Sequence, residues 1–154
     1  MNLLYRSAFE IGADIKAHRV SAREVLDFFL DRIETINPQI NAVVALDEAR
    51  ARARADEADI AARNGEDWGP LHGVPITIKD AFCTEGLVTV GGMPDCREHV
   101  PTKNAAAVQR YVDAGAIIFG KTNVPFMSSD LQSFNEVYGT TNNPWNILHT
   151  CGGS

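Results

Sequence analysis

Apolar residues recur at helical spacing after Ser21, with Val25, Leu26, Phe29, Leu30 and Ile33 on one face. Ser21 and Glu24 frame the start of that pattern as a capping box. The serine hydroxyl takes an orphan backbone N–H and the glutamate reaches back to the cap. The spacing predicts a helix that ends by Asn37-Pro38, where proline removes a donor. A short apolar strand follows at about 41–46. A long helix rich in Ala, Arg, Glu and Asp then runs to about Asn64-Gly65, whose glycine supplies the stop.

The pattern changes at Gly69-Pro70. Val74, Ile76 and Ile78 alternate with other residues and predict a strand over 74–79 that delivers Lys79 at its end. An irregular, glycine-bearing stretch continues through Pro101. Ala107, Val108, Tyr111 and Val112 predict an amphipathic helix near 104–114, and Ala116 to Phe119 a second strand. Strand–helix–strand order favours a parallel pair with a right-handed crossover. The fold class is therefore α/β. The expected organisation is one domain, with a helical layer at about 1–66 and an α/β part at about 67–154.

Composition narrows the function. With 45% hydrophobic and 22% charged residues among 154, the chain can bury a core of its own. A net charge of -6 excludes the basic stripe that a nucleic-acid groove needs. Three cysteines, Cys83, Cys96 and Cys151, cannot all pair within one chain, which suits a reducing compartment. Neither a secretory leader nor a membrane span is legible, so the expected location is cytoplasmic.

Four segments could carry chemistry. Lys79 ends an apolar strand, and a lysine that loses hydration there can serve as a general base; the plainer reading is a surface pair with Asp80. Gly115-Ala-Ile-Ile-Phe-Gly120-Lys121-Thr122 matches the phosphate-binding P-loop pattern by letter. Its interior reads as strand, however, and Pro125 falls where a helix should begin, which counts against nucleotide binding. Asn135 to Trp145, rich in turn formers and carboxamides, reads as a rigid loop. Gly152-Gly153-Ser154 lets backbone approach another group closely or take strained angles. Ending on such a turn, the chain reads as cut rather than finished. Cys96 with His99, or His72 with Cys83, has no zinc-like spacing, so no metal is expected.

Taken together, Gly69 to Asp80, Asp113 to Pro125, Asn135 to Trp145 and Gly152 to Ser154 resemble the amidase signature family in order and spacing. The resemblance implies an α/β/α fold with a mixed sheet, here incomplete, and a Ser–cis-Ser–Lys triad. Lys79 matches the catalytic lysine, and Ser154 the bridging serine of a Gly-Gly-Ser-Ser-Gly-Gly motif. The nucleophilic serine and the oxyanion hole lie downstream in the family, so the 154 residues alone are expected to hydrolyse nothing. No cofactor is needed. Phe126, Met127 and Ser128 stand where relatives carry Glu-Phe-Ala beside the acyl pocket, which makes them candidate substrate-binding residues or core. Gly91-Gly92 stands where the family often has Gly-Ser, removing a polar contact. The implied partner is a small-molecule amide, with no nucleic acid or membrane, and a homodimer of the full-length enzyme is compatible. Within the family the alternative is the A subunit of a tRNA-dependent amidotransferase; outside it, a P-loop module.

Overall fold

Two Ser-x-x-Glu boxes start the first two helices of the chain, whose residues 2–153 are described in a computed structural model. Ser7 and Glu10 cap α1 (Ala8–Lys16). Ser21 and Glu24 cap α2 (Ala22–Ile40), the Ser21 N–H donating to Glu24 Oε2 at 2.8 Å and the Glu24 N–H to Ser21 Oγ at 3.0 Å. The second box follows the sequence pattern, whereas the apolar spacing does not predict α1. Nor does α2 stop at Pro38. It carries the proline inside its last turn and ends at Ile40, where Asn41 takes a left-handed conformation with φ of 55°.

After α2 come β1 (Val43–Leu46) and α3 (Glu48–Arg63), then β2 (Pro75–Lys79), α4 (Ala106–Asp113) and β3 (Ile117–Thr122). Two short strands, β4 (Phe134–Asn135) and β5 (Gly139–Thr140), form a separate hairpin. The main sheet has the order β1–β3–β2, with β1 antiparallel to β3. The Ile117 N–H donates to Val74 O and the Asp80 N–H to Thr122 O, so residue numbers advance together along β2 and β3. That pair is parallel, as the strand–helix–strand order predicts. β3 is longer than expected and runs on through Gly120, Lys121 and Thr122.

The described residues fall into two compact units, each discontinuous in sequence. The first takes the residues up to Asp31, Asp47–Ile76 and Gln109–Phe119. Its interior is mostly apolar: Ile11, Ile15, Val25, Leu26 and Leu30 are buried, as is the alanine stripe Ala51, Ala55, Ala58 and Ala61 of α3, with Asp14 and His72 the buried polar residues among those described. Asp59 on α3 accepts the Ala22 and Arg23 N–H groups at 2.7 and 3.2 Å, capping α2 from a neighbouring helix. His72 is buried and fully used, accepting the Trp68 N–H and lying 3.0 Å from Ala58 O.

The second unit comprises Arg32–Leu46, Thr77–Val108 and the residues from Gly120 onward. Its interior is polar. Asp80, Thr84, Thr89, Lys121, Asn123, Ser133, Asn135 and Thr141 are all buried there, beside few apolar residues such as Ile78, Leu87, Val90 and Val124. A polar interior of this density persists only if its groups are hydrogen-bonded.

Candidate active site

Lys79, Lys121, the Phe126–Ser128 segment and the Gly152–Gly153 approach all lie in this second unit. Lys79 ends β2, and its carbonyl accepts the Phe82 N–H at 3.0 Å, which turns the chain. Lys79 is only half-buried. The burial expected of it falls instead on Lys121, whose side chain is completely covered. Strand alternation explains the difference: Ile117, Phe119 and Lys121 share one face of β3, whereas Lys79 sits on the face opposite buried Ile78.

The Lys121 ammonium donates to Phe82 O at 2.6 Å, Thr84 Oγ1 at 2.9 Å and Thr89 Oγ1 at 3.0 Å, and faces Asp80 Oδ1 at 4.0 Å. Three acceptors use all three of its protons. Burial lowers Lys121 to about 8, an effect that Asp80 partly offsets. Burial likewise raises the Asp80 carboxyl, against the pull of the Val90 N–H, Lys121 and the Gly91 N–H. Both members of the pair move toward their neutral forms, so desolvation outweighs their mutual attraction at this distance.

Asp80 braces a turn on its other side. Its carboxylate accepts the Val90 N–H at 3.2 Å and the Gly91 N–H at 3.1 Å. The Gly91 carbonyl in turn accepts the Met127 N–H at 3.0 Å. A line of bonds therefore runs from the residue after Lys79, through Gly91, to the candidate substrate segment. That segment is a 3₁₀ turn, Phe126–Ser128, in which Met127 and Ser128 both have positive φ, 49° and 57°. Two such residues in succession are strained unless glycine, and strain of this kind is characteristic of sites. Phe126, Met127 and Ser128 are exposed rather than core. Phe126 lines a cavity of about 340 Å³ together with Gly92, Ser129, Asp130, Phe134 and Asn135.

Gly92 corrects the sequence reading. Its φ is +72°, and a Cβ there would lie 2.9 Å from Phe126 Cα and from Pro125 O. A serine at this position, whatever its hydroxyl met, would bring its Cβ against the Phe126 turn and push that turn away.

Ser154 lies outside the described residues. The approach to it is described: Gly152 has φ of +90°, and its carbonyl accepts the Ser133 N–H at 3.2 Å. A Cβ on Gly153 would sit 2.6 Å from Asp130 O, so that glycine is required by close backbone approach. The two glycines do the two jobs expected of them, one of angle and one of space. The loop they reach is held by carboxamides. Asn135 donates to Asn123 Oδ1 and Val124 O, both at 2.8 Å, and accepts the Val137 and Tyr138 N–H groups. Asn123 donates to Thr141 Oγ1 at 3.0 Å.

The P-loop letters describe no phosphate cradle. Gly115 and Ala116 precede β3, the rest of the motif is β3 itself, and Lys121 is bound inside the protein. No group of three or more His, Cys, Asp or Glu residues able to hold a metal occurs among the described residues. The cysteines are free. No helix among the described residues is long and apolar enough to cross a membrane.

The profile of the family described as Amidase matches residues 24–154. The chain is 38% identical over 99% of its length to an acylamidase of Rhodococcus erythropolis, covering 32% of that protein. It is 40% identical over 99% of its length to the A subunit of the glutamyl-tRNA(Gln) amidotransferase of Acidothermus cellulolyticus, covering 30% of it. Among solved structures it superimposes on peptide amidase from Stenotrophomonas maltophilia with a TM-score of 0.92 at 28% identity, covering 99% of this chain and 33% of that one. The chain thus spans about a third of the length of the proteins it matches.

Proposed function

The chain belongs to the amidase family, and on that premise we propose that it supplies the lysine base and the bridging serine of a carboxylic-amide hydrolase. What supports the reading is the family match over residues 24–154 together with Lys79 at the end of β2 and, in the same unit, a Gly152–Gly153 approach seated on the Asp130–Ser133 loop. Lys79 takes a proton from Ser154, and Ser154 takes one from a nucleophilic serine contributed by a later Gly-Gly-Ser segment. That serine attacks the amide carbonyl, the relay returns a proton to the leaving amine, and water releases the acid. Phe126, Met127 and Ser128 border the acyl side of a small amide substrate, with the Phe126 cavity as its floor. Residues 1–154 act as one N-terminal part of a single catalytic domain, in a cytoplasmic enzyme that is compatible with a homodimer.

The test joins these residues to the remaining two-thirds of the Rhodococcus acylamidase and measures amine release from anilides and primary amides. The chain alone is expected to give no turnover. The chimaera is expected to turn over, with Lys79→Ala and Ser154→Ala each lowering kcat by about a thousandfold or more. Turnover that survives both substitutions would overturn the mechanism. The tRNA-dependent amidotransferase reading, to whose A subunits the chain is similarly related, predicts activity only with charged tRNA and a partner protein.

A further inference from the structure

Lys121 belongs to a motif that the proposed chemistry does not use, yet it is the largest of the fully buried side chains. A buried lysine is costly, and one that uses all its protons on loop oxygens fixes those loops. The loops concerned are those next to Lys79. The Lys79 carbonyl accepts the Phe82 N–H, and the Phe82 carbonyl accepts Lys121 Nζ at 2.6 Å, so two consecutive bonds tie the Lys79 turn to β3. The neighbouring residue of β3 grips the same turn, since the Asp80 N–H donates to Thr122 O at 2.9 Å. Thr89 binds Lys121 at 3.0 Å one residue before Val90, whose N–H Asp80 holds. Lys121 therefore contacts both ends of the 80–91 loop.

We propose that Lys121 is a positioning residue for Lys79: its ammonium clamps the turn that starts at Lys79 and, through Thr89 and Asp80, the Gly91 turn that carries the Phe126–Ser128 segment. The clamp deepens the amidase reading and rests on it only for its purpose. It acts through loop backbone and touches no substrate.

The test reads Lys79 directly. Pulsed reductive methylation of the full chain, resolved by peptide mass spectrometry, gives the labelling rate of Lys79 against pH, with exposed Lys103 as the internal reference. Hydrogen exchange at the Val90 and Gly91 amides is followed in parallel, with Val25 and Leu26 of the first unit as controls. Lys121→Met is expected to change the Lys79 rate by about threefold or more and to speed Val90 and Gly91 exchange at least about tenfold, leaving Lys103, Val25 and Leu26 at wild-type rates. Thr89→Val, which removes one acceptor and keeps the side-chain shape, is expected to move the same probes the same way by less. If Lys121→Met does not fold, Thr89→Val decides alone. Lys79, Val90 and Gly91 staying at wild-type rates would overturn the proposal. So would acceleration spread equally over Val25 and Leu26, since that marks general destabilisation. No turnover is measured, so a failed amidase assay and a failed clamp are separate results.

Discussion

Replacing Lys121 with methionine keeps most of the side chain's bulk and removes its charge, and the consequence for stability depends on pH in a calculable way. Burial lowers Lys121 from 10.5 to about 8 in the folded chain. Between those values the unfolded chain holds the extra proton, so stability rises as pH rises through that window. At about 1.4 kcal/mol per pH unit, the interval corresponds to about 3 kcal/mol. Other groups set the limits of the measurement. Cys83 lies close enough to favour the Lys121 charge. Burial raises Tyr138, whose contribution is lost as pH rises through its folded value, opposing the lysine at the alkaline end. Asp80, also raised, contributes stability at low pH that fades as it ionises. The useful window is therefore pH 8 to 10, where about 2–3 kcal/mol of the lysine effect falls. Urea unfolding followed by tryptophan fluorescence across that range checks it. Lys121→Met is expected to be about 3–5 kcal/mol less stable at neutral pH, because Asp80 loses the ammonium facing it. The gap from wild type is then expected to widen by about 2–3 kcal/mol by pH 10. A gap constant to within about 0.5 kcal/mol would refute the argument, since it would mean that folding leaves the lysine's protonation unchanged.

Three further outcomes follow from the same geometry. Gly92→Ser forces a left-handed conformation on a residue whose Cβ meets Phe126 and Pro125; a loss of about 1–3 kcal/mol is expected by denaturant titration, with faster exchange at the Met127 amide. Asn135→Leu removes four hydrogen bonds at a buried position and is expected to cost about 3 kcal/mol or more, read as a lower urea midpoint at unchanged slope. Arg19 and Arg6 hold the Asp14 carboxyl below its ordinary range, so it contributes stability that is present above the unfolded value and lost as pH falls through the folded one. Asp14→Asn is expected to flatten the acid limb of the stability profile, and an unchanged limb would assign acid unfolding to other carboxylates.

Much of this was legible in the chain, and the exceptions have physical reasons. The Ser21–Glu24 box, the stop at Gly65 and the β2 strand are local signals, and each is where its residues put it. The first helix carries the same Ser-x-x-Glu signal at Ser7–Glu10, but its buried face includes Asp14, neutralised by two arginines, which breaks the apolar count. Pro38 forfeits its own bond back to the preceding turn, a loss that a helix two residues from its end survives. Here the helix is already ending, and the Asn37 side chain takes over by binding the Ala42 and Val43 amides at 2.9 Å. The site was half legible. Motif order pointed to Lys79, but strand phase, Ile117–Phe119–Lys121 against Ile78, was the signal for which lysine goes inside. Nothing local announces that Thr84 and Thr89 will meet Lys121, because those contacts span 37 and 32 residues.

The carboxamide bracing of the Asn123–Asn142 region has a consequence for the protein's ageing. Its loop geometry is written in side-chain amides, the same functional group that amidases cleave. Slow hydrolysis of Asn135 to aspartate would exchange an NH₂ for an oxygen facing Val124 O and Asn123 Oδ1, turning two attractions into repulsions between lone pairs. Complete burial protects Asn135, whereas Asn41 and Asn142, which bridge to Tyr138 O and Gln39 O, are partly open to water. Chemical lifetime, rather than folding free energy, would then set how long a preparation keeps its loop, and of these three asparagines Asn41 and Asn142 should show the mass gain of about one dalton before buried Asn135.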